Sequence, residues 1–132
     1  LNRSSDLEIG MFEVSGCETG SAVITPGFNL PSQYVIHAVG PIWQGGGDGE
    51  AELLYSAYEE SLILARKNSC HSIAFPVISS GIYGYPKRQA WQVALTACMD
   101  FISKNQDYDI LIVFAVLSDK SLEMGEEVLL NL

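Results

Sequence analysis

Residues 72–86 read SIAFPVISSGIYGYP, and this stretch decides the fold. Its first part, residues 72–78, is a short apolar run of the kind that forms a buried strand. Residues 79–85 follow directly, and Pro86 then begins a predicted helix at the first turn, where its missing N–H costs nothing. A loop of this kind lies at the carboxyl end of a strand, where open α/β sheets bind their ligands. The segment therefore predicts an α/β fold with a ligand site in residues 79–85.

The residue types of this loop favour a phosphate ligand. Gly81 and Gly84 have no Cβ atom, so the main chain can turn its N–H groups inward and come close to a phosphate. Ser79 and Ser80 add hydroxyl donors. The alternative is that the two glycines only form a tight turn between strand and helix, and an isolated Gly-x-x-Gly pattern favours that alternative. The sequence around the loop is therefore needed to distinguish a phosphate-binding loop from a simple turn.

The rest of the chain alternates predicted strands and helices. Periodicity and turn residues place strands at 21–25, 33–39, 72–78 and 109–117, and helices at 50–67, from 86 onward and from about 120 to 130. The run at 33–39 is almost continuously apolar, which is typical of a strand covered on both faces. The alternation predicts right-handed crossovers and a largely parallel sheet between helices.

Length and composition predict a single folded domain. The chain has 132 residues, of which 48% are hydrophobic and 17% charged, enough for one core and too few for a second domain. Cys17, Cys70 and Cys98 are odd in number and include no Cys-x-x-Cys pair, which predicts reduced thiols in a cytoplasm and no zinc site. No apolar run reaches about 18 residues and no signal sequence is recognisable, so we expect no membrane partner.

The charge balance restricts the partners further. Sixteen acidic residues against seven basic ones give a formal net charge of -9. Such a chain repels nucleic acid phosphates at long range, so we expect no nucleic acid partner. A small anion is compatible with this charge, because main-chain N–H groups and a helix N-terminus act at contact distance.

Three segments together resemble the macro domain family. Besides residues 72–86, residues 17–31 contain a Cys-x-Thr-Gly-x-Ala element, and residues 34–43 are similar to the next strand of that family. The segments stand in the family's order, and the resemblance extends from residue 17 to about residue 119. It implies a three-layer α/β/α sandwich with a mixed, largely parallel sheet. It also implies ADP-ribose as the ligand, free or attached to a protein or an acetyl group, with no cofactor and no metal.

The resemblance also implies roles for individual residues. The diphosphate and the distal ribose are assigned to Ser79, Ser80, Gly81, Ile82, Tyr83 and Gly84, and the adenosine side to Pro76 and Val77. Tyr83 would lean over the distal ribose. Leu117 takes the position after the last strand where many relatives stack an aromatic side chain on adenine. A leucine can pack on the purine but offers no π face, which predicts weaker adenine selectivity.

The N-terminal segment departs from the family pattern. Family members carry two strands, a Gly-Asp-Ile segment, an Asn-Ala-Ala-Asn motif and a glycine-rich loop ahead of the Cys-x-Thr-Gly element, where this chain has only 16 residues. Either the chain is truncated, or residues 1–16 join segments that are not contiguous in the protein. In the second case residues 1–5 resemble the end of Asn-Ala-Ala-Asn-x-Ser, and Asn2 is the catalytic candidate that orients the distal ribose.

The family branch that the sequence resembles contains hydrolases of mono-ADP-ribosyl esters and of O-acetyl-ADP-ribose. By that resemblance the diphosphate loop positions the distal ribose, and a water held by the substrate attacks the ester or the anomeric carbon without a metal. Two alternatives stay open. One is a non-catalytic reader of ADP-ribosylated protein, and the other is a truncated domain without ligand binding.

Several residues outside the loop receive a structural interpretation. Residues 45–49 are predicted to be a solvent-exposed hinge between a strand and a helix. His37 lies in an apolar strand and is predicted to be a hydrogen-bonded histidine rather than a base, and Cys98 lies on a buried helix face as an inert thiol. Lys87 and Arg88 either only occupy the first helical turn or contact the outer edge of the diphosphate.

Overall fold

The computed structural model describes residues 17–27, 29 and 31–132. Within these ranges the chain forms four strands and three helices, which agrees with the predicted alternation. In chain order they are β1 (Ala22–Pro26), β2 (Tyr34–Ala38), α1 (Glu50–Lys67), β3 (Ser72–Phe75), α2 (Lys87–Lys104), β4 (Leu111–Phe114) and α3 (Asp119–Leu130). Asn2 and the other predictions on residues 1–16 lie outside the described residues.

The described strands pair as two small sheets. β1 and β2 are antiparallel, with Ile24 opposite Ile36. β3 and β4 are parallel, with Ala74 opposite Val113. Across residues 17–27, 29 and 31–132 no ladder joins the two pairs into one sheet. The α/β class is therefore confirmed, while a single three-layer sandwich with a largely parallel sheet stays a prediction.

β3 is shorter than predicted and ends at Phe75 because the next residue is a proline. Pro76 has no N–H to donate to a ladder, and β4, which pairs with β3, ends opposite Phe75 as well. Residues 76–78, which the sequence predicts to be part of this strand, therefore have no strand partner. Two of their main-chain groups are instead bound by the buried side chain of Tyr58, whose hydroxyl donates to the carbonyl oxygen of Pro76 at 3.2 Å and accepts from the N–H of Ile78 at 2.8 Å.

The core lies between the helices and the inner sides of β3 and β4. α1 and α2 pack against each other through fully buried side chains such as Leu54, Leu62 and Ala94. Trp91 of α2 packs on α3 at Gly125, where a Cβ atom would stand only 2.8 Å from the indole ring. Each fully buried leucine or phenylalanine stabilises the fold by about 1.5–3 kcal/mol. This packing holds the end of β3 and the start of α2 together, and the predicted ligand loop connects these two points.

Candidate functional site

The loop that follows β3, residues 79–85, is closed by its own main chain. The N–H of Tyr85 donates to the carbonyl oxygen of Ser79 at 2.9 Å, and the N–H of Gly84 donates to that of Gly81 at 3.0 Å. Ser79 has a φ of 67°, a left-handed conformation that costs a residue with a side chain about 1–3 kcal/mol. Tyr85 is only 3% exposed and anchors the end of the loop in the core. The loop therefore has a defined shape between β3 and α2.

The outer part of this loop presents unused main-chain donors. Among the described residues, no acceptor takes the N–H groups of Gly81, Ile82 and Tyr83. The side chain of Ile82 is fully exposed, and a Cβ atom at Gly81 would meet nothing within 4 Å. Successive N–H groups in a turn are a common anion-binding arrangement. These amides are the feature of the loop best suited to hold a phosphate.

The start of α2 adds positive potential beside the loop. The helix begins at Lys87 after Pro86, and no side chain caps its first turn. The unpaired N–H groups of a helix N-terminus carry a partial positive charge. The ammonium group of Lys87 donates to the carbonyl oxygen of Ser80 at 3.0 Å, so this cation lies against the loop. Arg88 instead pairs with Glu127 of α3 at 2.9 Å.

The two serine hydroxyls are directed into the protein. Ser80 Oγ donates to the carbonyl oxygen of Val77 at 2.7 Å. Ser79 Oγ is buried without a hydrogen-bond partner in the described structure. It lies against Gly40, where a Cβ atom would stand 2.2 Å away from it. In this arrangement the main-chain amides of residues 81–83, rather than the hydroxyls, are the donors left available to a ligand.

The remaining predicted contact residues lie at the same edge of the β3–β4 sheet. Pro76 is exposed, whereas Val77 is half-buried and packs against the core. Leu117 is fully exposed and immediately precedes Ser118, the N-cap of α3. Because β3 and β4 are parallel, Leu117 and the 79–85 loop both follow the carboxyl ends of neighbouring strands. The contact roles of these residues stay predictions, as does that of Asn2.

The glycine-rich loop before α1, residues 44–49, is organised around a buried carboxylate. Glu50 is 1% exposed, and it accepts main-chain hydrogen bonds from Gln44 at 2.7 Å, Gly46 at 3.0 Å and Asp48 at 2.8 Å. Burial alone would raise the pKa of Glu50, but these hydrogen bonds outweigh it and lower the pKa to about 2. The predicted exposure of residues 45–49 is confirmed, but the hinge interpretation is wrong, because their main chain is bound to the start of α1.

Sequence reasoning missed the role of Glu50, although a signal for it is present. An acidic residue directly after a glycine-rich segment, at the first position of a helix, can reach back to the N–H groups of that segment. The glycines permit this geometry, since Gly45 and Gly46 both have a φ of 93°. The flexibility of glycine, on which the hinge prediction rests, does not reveal this use of the loop.

The two loops meet at Trp43. Its main-chain N–H donates to the carbonyl oxygen of Tyr83 at 2.9 Å. Its ring packs on that of Tyr85, with 4.7 Å between the ring centroids. A cavity of about 290 Å³ lies at this junction and is lined by residues of both loops, among them Gln44, Asp48 and Tyr83. The 44–49 loop is thus part of the surroundings of the predicted ligand site.

Other polar features of the described chain are structural. A larger groove of about 450 Å³ lies between α1 and α2, away from the 79–85 loop, and Arg66 in it is bound to Asp107 at 2.8 Å. His37 is hydrogen-bonded, as predicted, with 2.9 Å between its Nε2 and Thr25 Oγ1, and burial lowers its pKa. Burial raises the pKa of Cys98 to about 12, which fits an inert thiol.

In the ranges that the structure describes, no helix has the length and apolar character needed to cross a membrane. The same ranges contain no group of three or more His, Cys, Asp or Glu side chains placed to hold a metal ion.

Fold and site together define an α/β domain with a loop of unpaired main-chain N–H groups at the carboxyl end of a parallel strand. Comparison with known proteins identifies the family. The macro domain profile matches residues 5–94. A macro domain-containing protein from Chlorobaculum tepidum is 46% identical over 117 residues, which are 89% of this chain and 67% of that protein. The chain belongs to the macro domain family, which confirms the resemblance.

Two further relatives carry information about ligands. The O-acetyl-ADP-ribose deacetylase of Salmonella typhimurium is 54% identical over 88 residues, covering 67% of this chain and 49% of the enzyme. The solved Oceanobacillus iheyensis macrodomain with ADP superposes with a TM-score of 0.82 at 35% identity, over 97% of this chain and 67% of that chain. The chain thus spans roughly half to two thirds of the length of these relatives.

Proposed function

We propose that this domain binds ADP-ribose and ADP-ribosylated ligands through the 79–85 loop, and that it hydrolyses mono-ADP-ribosyl esters or O-acetyl-ADP-ribose. The observation that carries the proposal is the run of N–H groups at Gly81, Ile82 and Tyr83 that has no acceptor in the described structure. A diphosphate supplies the oxygen acceptors that such a run can bind. The relative named O-acetyl-ADP-ribose deacetylase supports the same ligand class.

The electrostatics of the site support an anionic ligand in spite of the acidic chain. A hydrogen bond to a charged group contributes about 1.5–3 kcal/mol, and at contact distance this outweighs a screened long-range field. The uncapped start of α2 and the ammonium group of Lys87 add positive potential at the same place. The net charge of -9 then slows the approach of the ligand more than it weakens the contact.

The remaining roles extend the proposal along the ligand. Tyr83 contacts the distal ribose, while Pro76, Val77 and Leu117 lie toward the adenosine. Leu117 is fully exposed and is thereby available to a purine. Asn2 orients the ribose for attack by water. We also propose that the complete domain is a three-layer sandwich that works in the cytoplasm, in keeping with the free thiols of Cys17, Cys70 and Cys98.

In the proposed reaction, the protein positions the substrate more than it supplies reactive groups. The loop fixes the diphosphate, and Tyr83 limits the movement of the distal ribose. A water molecule held at the substrate then attacks the ester carbonyl carbon, which breaks the acyl C–O bond and leaves the ribose hydroxyl protonated by that water. Alternatively it attacks the anomeric carbon, which breaks the bond from that carbon to the ester oxygen and releases the carboxylate of the modified protein and a proton. Holding the two reacting groups in this geometry removes much of the entropic barrier. A reader would make the same contacts and release the ligand unchanged.

Titration calorimetry with ADP-ribose tests the binding step. We expect saturable heat, and a single-turnover assay with O-acetyl-ADP-ribose should then give free ADP-ribose and acetate. Heat without product would assign the chain as a reader. No heat from a protein that circular dichroism shows to be folded would contradict the proposal and favour a domain without ligand binding.

A further inference from the structure

We infer that Glu50 is a positioning residue for the ribose end of the site, acting through Trp43 on Tyr83, and that it thereby sets the preference for nucleotides that carry a second ribose. The inference rests on the proposed function. Glu50 is the first residue of α1, outside the ligand loop, and its carboxylate is bound to three main-chain N–H groups, so it is not a catalytic residue.

The first step is the fixed conformation of the 44–49 loop. The carboxylate of Glu50 binds three alternate N–H groups of that loop, and the shortest of these bonds, 2.7 Å, is to Gln44. Gly46 packs on the indole of Trp43, where a Cβ atom would stand 3.0 Å from the ring. The carboxylate therefore determines the main-chain position of the residue next to Trp43 and the surface on which its ring rests.

The second step is the connection from Trp43 to the ligand loop. Its main-chain N–H donates to the carbonyl oxygen of Tyr83, the last residue of the run of unused N–H groups, at 2.9 Å. Its ring packs against Tyr85, which anchors the end of the ligand loop. In the described structure, this hydrogen bond and this ring contact link the two loops through Trp43. A displaced Trp43 would move Tyr83 before it moved Gly81.

The third step is the part of the ligand that this connection serves. The junction cavity is lined by Gln44, Asp48 and Glu50 from one side and by Tyr83 from the other. Pro76 and Leu117 do not line it. A change at Glu50 is therefore expected to act mainly on the distal ribose, and to reach the diphosphate only through the single N–H group of Tyr83, while the adenosine stays unaffected.

Comparing ADP-ribose with ADP isolates this effect, because ADP has the same adenosine and diphosphate without the distal ribose. In Glu50→Gln the charge is lost and one carboxylate oxygen is replaced by an NH₂ group that opposes the N–H donors of the loop, so the anchor is weakened at nearly constant volume. We expect the affinity for ADP-ribose to fall about tenfold, the loss of roughly one good contact, while the affinity for ADP falls much less because only the Tyr83 N–H is shared. Glu52→Gln, an exposed position on the same first turn, is the matched control and should leave both affinities unchanged.

A double-mutant cycle with Tyr83→Ala shows whether Glu50 acts through Tyr83. If it does, Glu50→Gln costs no further ADP-ribose affinity once Tyr83 is removed. Equal losses for both ligands, or an unchanged ratio of the two affinities, would overturn the inference. If the wild-type protein binds neither ligand, the proposed function itself fails. Should Glu50→Gln not fold, Glu50→Asp, which keeps the charge but withdraws the carboxylate from Gln44, answers the same question.

Discussion

The two glycine-rich loops of this domain use their main-chain N–H groups in opposite ways. In the 44–49 loop, the donors of Gln44, Gly46 and Asp48 are bound to the carboxylate of Glu50. In the 79–85 loop, the donors from Gly81 to Tyr83 have no acceptor in the described structure. One loop holds an anion that belongs to the chain, and the other is open to an anion from outside.

The difference shows that glycine content does not by itself identify a ligand loop. Glycine allows a main chain to turn several N–H groups toward one point, and what occupies that point depends on the neighbouring sequence. After the first loop comes an acidic residue, Glu50. The basic residue near the end of the second loop is Lys87, at the start of α2. Its side chain is positively charged and cannot accept hydrogen bonds from the unused N–H groups of the loop.

Placing a carboxylate in the 79–85 loop, the open loop whose N–H groups have no acceptor in the described structure, is expected to have the largest effect on ligand affinity. Gly81→Glu places a negative charge at the proposed diphosphate position, and like charges at contact cost several kcal/mol, so ADP-ribose affinity should fall at least about a hundredfold. A Cβ atom at Gly81 meets nothing within 4 Å, so the fold should persist. Calorimetry measures the affinity, and Gln106→Glu, exposed beyond the C-terminal end of α2, controls for added charge. Unchanged affinity in Gly81→Glu would remove the loop from the site.

A second variant tests the close contact between Gly40, which precedes the 44–49 loop, and Ser79, which begins the 79–85 loop. Gly40→Ala introduces a Cβ atom at 2.2 Å from Ser79 Oγ and 2.5 Å from Ile78 Cγ2, so overpacking should destabilise the protein by about 1–3 kcal/mol. Gly47→Ala, where a Cβ atom meets nothing within 4 Å, is the control and should be nearly neutral. Urea denaturation gives both free energies of unfolding. Equal stability of the two variants would mean that Gly40 and Ser79 are not in close contact.

The stability that the 44–49 loop gains from Glu50 should be sensitive to acid. The pKa of Glu50 is about 2 in the folded protein, against an ordinary value of 4.5. Since the folded state binds this proton more weakly, the stabilisation is complete above pH 4.5 and is lost as the pH falls toward 2. The difference in free energy of unfolding between wild type and Glu50→Gln should therefore be largest near neutral pH and shrink toward zero in acid. A difference that stays constant with pH would contradict the carboxylate anchor.

The smallest effect is expected at the cation beside the open loop. Lys87→Ala removes an exposed ammonium group next to the diphosphate position, and exposed charge pairs contribute about 0.2–1 kcal/mol, so ADP-ribose affinity should fall about two- to fivefold. The loss should diminish at high salt. Lys104→Ala, exposed at the other end of the same helix, should change nothing. A salt-independent loss would point to a structural role for Lys87.

The position of the open loop could be predicted from the sequence because it depends on local patterns. The apolar run of β3 and the proline at the start of α2 both act within a few residues, so the strand, the loop and the helix follow from residues 72–86 alone. The helix begins at Lys87 with Pro86 as its N-cap, one residue later than predicted. The family assignment likewise depended on contiguous segments.

What the sequence did not reveal depends on contacts between distant residues. The inward direction of the Ser79 hydroxyl is set by Gly40, and the link from Trp43 to Tyr83 joins residues that no local pattern connects. The early end of β3 was foreseeable at Pro76, but the substitute partner for residues 76–78 is Tyr58 from α1. Periodicity describes one element at a time and contains no information on these pairs.

Hydrogen exchange of individual amides, measured by NMR with and without ADP-ribose, tests the central claim most directly. In the free protein the amides of Gly81, Ile82 and Tyr83 should exchange rapidly, while those of Gln44, Gly46 and Asp48 are already protected by Glu50. Saturating ADP-ribose should slow exchange at Gly81–Tyr83. If those amides are protected without ligand, or if ADP-ribose binds and leaves their exchange unchanged, the main chain of the 79–85 loop is not the diphosphate receptor.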